Sequence, residues 1–154
     1  MRKTGMVITL VAAIALVAAP VSATAARVTS GRFATFADGA GLGYAVAGHA
    51  VMTRTSHTTK VSLAVSGLEP GSTYGSHVHN QSCDSGNAGG HYSFGYPVPG
   101  GALDGSEIWP GPITANAAGR AVGWVRVDDV AGPEAVSVVI HAPGGAKIAC
   151  ADLG

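Results

Sequence analysis

Val61-Ser62-Leu63-Ala64-Val65-Ser66-Gly67-Leu68-Glu69-Pro70-Gly71, followed shortly by Tyr74-Gly75-Ser76-His77-Val78-His79, is the stretch that decides how this chain folds. Val61, Leu63 and Val65 alternate with Ser62, Ala64 and Ser66. A period of two is that of a β-strand with one buried face. Glu69-Pro70-Gly71 is a turn signal. In the second run His77 and His79 stand at i and i+2, so a strand projects both imidazoles from one face while Val78 enters the other.

The same alternation of short runs and turns extends outward. Asp38-Gly39, Gly86 to Gly90, Asn116 to Gly119, Gly132-Pro133 and Pro143 to Gly145 punctuate the chain, and Val125 and Val127 alternate with Trp124 and Arg126. No window after Ala26 holds a helical period. Short strands separated by Gly/Pro turns predict an all-β sandwich or barrel. The Gly- and Pro-rich stretch from Gly95 to Pro112 is long for a structureless connection, which points to a functional loop or the relic of one.

At 154 residues the chain is one domain, and its 47% hydrophobic content excludes disorder. With 9 Lys+Arg against 9 Asp+Glu and no basic cluster, there is no electrostatic basis for binding nucleic acid. Arg2 and Lys3 precede an apolar run from Met6 to Ala19, then Pro20 and Ala23-Thr24-Ala25. This pattern predicts a secretory signal peptide over residues 1–25, too short in its apolar part to span a membrane, and a secreted or extracytoplasmic domain over residues 26–154 with no stable membrane anchor. Losing Arg2 and Lys3 leaves 7 basic and 9 acidic groups, a net charge of −2. In an oxidising compartment Cys83 and Cys150 read as a disulfide more readily than as a reactive thiol or half a zinc site.

Of the six histidines, His77 and His79 form half a metal site, although a bare His-x-His also occurs on surface strands. His91 follows Asn87-Ala88-Gly89-Gly90, where missing side chains would let the backbone pack closely under the ring. His141 ends the run Val136 to Ile140 with parity opposite to Val136, Val138 and Ile140, so its ring leaves their face. His49 and His57 read as surface residues of a hairpin.

The ordered set His77-x-His79, Cys83, Gly89-Gly90-His91, His141 and Cys150 resembles the copper/zinc superoxide dismutase family. Ser66 to Gly71 is similar to the turn before that family's His-x-His strand, Ile113 to Gly119 to its hairpin after the zinc loop, and Ala149 to Gly154 to its closing strand. The resemblance runs from about Gly43 to the end. It implies an eight-stranded antiparallel Greek-key β-barrel, an immunoglobulin-like sandwich in outline. It also implies one copper per chain on His77, His79, His91 and His141, and a Cys83–Cys150 disulfide. Lys147 falls where the family places an arginine that attracts and orients superoxide; lysine keeps the charge without the planar donor fork.

Two departures point to the family's copper-only branch. The family's zinc ligands would fall near Pro99, Ser106 and Trp109, and no histidine lies between His91 and His141, so a zinc ion would find at best His91, Asp104 and Glu107. Only nine positions separate His141 from Cys150, where the family carries a long charged loop. Without zinc the second nitrogen of His91 needs another partner, for which Asp104 and Glu107 are the candidates, although both also read as loop-surface acids. The resemblance implies a copper-dependent superoxide dismutase in which His91 carries a proton and Lys147 steers superoxide. The alternatives are an exported copper-binding protein with little turnover, favoured by Lys147 and by Asn80 after His79, and a structural module without metal.

Overall fold

The computed structural model describes residues 25–95 and 106–154, so residues 1–24 of the expected leader, Pro99 and Asp104 lie outside the described residues. Eight strands follow one another: β1 (Arg27–Thr35), β2 (Ala47–Arg54), β3 (Thr59–Ser66), β4 (Thr73–His79), β5 (Ile113–Thr114), β6 (Ala121–Val127), β7 (Ser137–His141) and β8 (Lys147–Asp152). Every pairing is antiparallel, in the order β5-β4-β7-β8-β1-β2-β3-β6. The end strands β5 and β6 lie against each other and nearly close the sheet into a barrel. After the β1-β2-β3 meander the chain crosses to β4, and β6 returns beside β3, a Greek-key path in agreement with the sequence.

The alternation read from Val61 to Ser66 is the alternation seen. Val61, Leu63 and Val65 are buried, while Lys60 and Ala64 are exposed. The inner faces of β4 and β7 add Tyr74, Val78, Val138 and Ile140 to the same core. Burying each aliphatic side chain of this kind is worth about 1.5–3 kcal/mol.

One short helix, α1 (Ala37–Gly41), occupies the expected turn at Asp38-Gly39. Five residues are too few to show a helical period, which is why the sequence gives only the turn. Its seat on β8 requires glycine at position 39, where a Cβ would collide with the Ile148 carbonyl.

Strand β7 is buried along its whole length. One face contributes Val138 and Ile140 to the barrel core, and the other packs Val139 against Ala88 and Cys150. The segment covering that second face is fastened to the barrel by the Cys83–Cys150 disulfide, by the Cys83 amide donating to Asp152 Oδ1 at 2.8 Å, and by Ser137 Oγ donating to the Gln81 carbonyl at 2.7 Å. The bridge closes 67 positions of chain. Chain entropy then assigns it about 4 kcal/mol. A Cys83→Ser/Cys150→Ser variant should therefore lose roughly that much stability in denaturant unfolding.

Candidate metal centre

His77 and His79 leave the face of β4 opposite to Val78, as their spacing requires, and β7 runs antiparallel beside them with Gly75 paired to His141. Between Ile140 and His141 the β7–β8 register shifts, so His141 stands opposite Lys147. Such an irregularity re-aims a side chain at a sheet rim. His91 arrives from the segment after β4. An isolated bridge pairs it with His79, while the Asn80 amide donates to the Gly90 carbonyl at 3.0 Å and the Tyr92 amide to the Val78 carbonyl at 2.8 Å. The segment is thus a short extra edge on β4.

These elements bring the four histidines together, with one ligand atom from each lying within 4.8 Å of all the others. His77 Nδ1 is 2.6 Å from His91 Nε2, and His79 Nε2 is 3.2 Å from His141 Nε2. Four nitrogens bound about 2 Å from one ion stand roughly 3–4 Å apart, so small side-chain adjustments suffice to hold a metal. The outward nitrogens are held by the protein. Nδ1 of His79 donates to the Ala88 carbonyl at 3.2 Å, Nδ1 of His141 to the Gly145 carbonyl at 3.1 Å, and Nδ1 of His91 to Glu107 Oε2 at 2.9 Å. Each bond fixes the tautomer that turns the Nε2 lone pair inward. His77 is reversed, with Nδ1 inward and Nε2 buried without a partner among the described residues.

Burial makes the group ready for a cation. His77 and His79 are pushed down to about 3, first by burial and then by the neighbouring imidazoles, and His141 is lowered mainly by burial. The Lys147 charge adds to the depression at His79 and His141, which places that charge close to the site.

Glu107, expected as a partner for His91, takes that role. Its buried carboxylate oxygen accepts from His91 Nδ1 and also from Trp109 Nε1 at 2.8 Å. An isolated antiparallel bridge between Ser93 and Glu107 positions it. Lys147 Nζ donates to the Asn87 and Gly89 carbonyls at 2.7 and 2.5 Å, so its ammonium is a fixed charge rather than a swinging arm. Ser106 is buried and accepts from Ser93 Oγ. His49 and His57 are exposed on the β2–β3 hairpin.

One expectation is corrected and one residue was missed. The close approach at Gly89 is not under the His91 ring: a Cβ there would meet Asn80 and Gln81, and φ is +63°. Residues 86–89 all have positive φ, so this turn is a left-handed run whose carbonyls serve His79 and Lys147. Trp109, which the sequence offered only as an approximate zinc position, packs its ring 3.9 Å from that of His77 and fixes Glu107. The i, i+2 spacing of Glu107 and Trp109 on an extended segment was the available signal. An open cleft of about 620 Å³, walled in part by Asn80, His91, Tyr92 and Glu134, brings solvent to the half-buried His91.

The depressed histidines give a pH dependence with a definite sign. In the unfolded chain they protonate near 6.5, whereas in the fold His77 and His79 stay neutral to about 3. Stability of the metal-free protein is therefore full above about 6.5 and falls as the pH drops toward 3, because the unfolded state binds more protons. Thermal unfolding of the metal-free protein should show Tm falling by several degrees from pH 7.5 to 5.5, with a flatter profile in His79→Gln. Metal affinity should weaken over the same range.

The chain matches no protein-family model and no curated protein, so what this centre can hold follows from its own donor set: a group of four imidazoles, three of them buried, able to bind a metal ion.

Proposed function

We propose that the protein is an exported copper-dependent superoxide dismutase of the zinc-less type. The observation that carries the reading is the donor set itself, with His77 turned in by Nδ1, His79, His91 and His141 by Nε2, and the remaining nitrogen of His91 on a buried carboxylate. All-imidazole ligation suits copper in both oxidation states. Copper held there would supply one-electron chemistry, that of two superoxide anions and two protons giving one oxygen and one hydrogen peroxide.

The chain's own residues would do the rest. His77, His79 and His141 are buried and hold position. His91 is half-buried beside the open cleft, and its Nε2 is the atom that can hold a proton while Nδ1–H remains on Glu107. Glu107 and Trp109 position that ring. Lys147 presents a fixed positive charge to a small anion. With one such cation beside the site and a net charge of −2 over residues 26–154, the rate should depend only weakly on salt.

Loading residues 26–154 with copper and zinc, counting bound metal and assaying superoxide removal tests the reading. One copper per chain with dismutation is expected, both lost in His77→Ala/His141→Ala. Glu107→Gln should keep copper and lower turnover about tenfold or more. Loss of copper without loss of superoxide removal would falsify the enzyme. Tight copper with negligible turnover would favour the copper carrier, and no copper would leave the structural module.

A further inference from the structure

Strands β1, β2, β3 and β6 turn their outer faces to solvent on the part of the barrel away from β4 and β7, and the pairing registers arrange that face in three rows. Arg32, His49, Ala64 and Val122 form the first row; Ser30, Val51, Ser62 and Trp124 the second; Val28, Thr53, Lys60 and Arg126 the third. None of the twelve positions carries a carboxylate, although acids outnumber bases in residues 26–154. Three of the seven cations of that part of the chain stand here, together with His49. Arg126 Nη1 meets Asp128 Oδ1 at 3.0 Å at the margin, a well-exposed pair that an incoming anion can open. Trp124 is 69% exposed and Val122 76%, and Lys60 Nζ lies 5.8 Å from the Trp124 ring centroid. A large aromatic held open beside cations has no role in the core.

We propose that this face is a docking platform for an acidic polysaccharide, a chain of sugars bearing carboxylates. The apolar face of a sugar ring stacks on Trp124, and carboxylates meet Lys60 and Arg126. A second copy of the protein fits poorly. Two such faces would oppose like charges, and four strands by three rows give about 20 Å by 20 Å, roughly 400 Å², against the ~800 Å² per partner of stable protein pairs. A nucleic acid is disfavoured by the net charge of −2 over residues 26–154 and by the spread of the cations, since Arg32 stands three strands and two rows from Arg126. The platform is independent of the metal centre, and occupying it leaves the histidines of β4 and β7 uncovered.

The test is retardation of the full protein in gels containing polygalacturonate, with neutral dextran, an oligo-dT strand and sedimentation as controls. Polygalacturonate should retard the parent, less so as salt rises, and dextran should not. Trp124→Ala, which leaves the charge unchanged, and Lys60→Ala/Arg126→Ala should each weaken binding about tenfold, with Tm unchanged because these side chains are exposed. Ser62→Glu, a carboxylate placed beside Trp124, should abolish it. Arg27→Ala removes an exposed cation whose parity on β1 is that of the inward-facing Thr29 and Phe33, and it should change binding less than twofold. No retardation, equal retardation by dextran, an equal loss in Arg27→Ala, tighter binding to oligo-dT, or a dimer dissolved by Trp124→Ala would each overturn the proposal.

Discussion

The pairing of β4 with β7 is the constraint on which the rest of the molecule depends. It sets Gly75 opposite His141 and stacks the His77 and His79 face beside the end of β7. The same two strands send Val78, Val138 and Ile140 into the barrel core. A slip of one residue would invert both faces together, burying imidazoles among aliphatic side chains and exposing valines. The hydrophobic core thus fixes the register of the histidines, and the histidines need no separate device to find one another.

What lies outside the barrel completes the centre. The segment from Gln81 to Gly90 covers the second face of β7, and the disulfide with two hydrogen bonds holds it there. From that anchored segment come the carbonyl that orients His79, the two that hold Lys147, and the edge that carries His91. Three imidazoles sit out of water in neutral form, each with its outer nitrogen held or enclosed, so little rearrangement separates the metal-free group from a binding one. Burial that disfavours a proton on these rings leaves their lone pairs available to a metal ion.

The strands were legible because Val61 to Ser66 carries the period of a half-buried strand and Val136 to Ile140 reads as an apolar strand, and parity alone placed His77, His79 and His141 on the face away from the core. Glu107 was legible as an acid near a histidine that would need one. Trp109 was not, because its contact with Glu107 depends on where the segment after residue 105 crosses His91, and that crossing comes from backbone pairing at Ser93 and Glu107 rather than from side-chain pattern. The left-handed backbone at Asn87 and Ala88 was likewise hidden, since neither residue type demands positive φ. Trp124 was visible as the outward partner in an alternating strand, but the absence of acids around it emerges only when four registers are laid side by side.

The left-handed run at 86–89 has an evolutionary consequence. Three successive carbonyls, those of Asn87, Ala88 and Gly89, are divided between two tasks: the outer two grip the Lys147 ammonium and the middle one orients the His79 ring. A substitution that re-tilts any one of these peptides changes the position of the charge and the aim of the ligand in the same stroke. The two properties cannot drift apart by small steps within this segment. Variation in the charge beside the histidines must therefore enter at position 147 itself, where the side chain can change while the carbonyls stay in place.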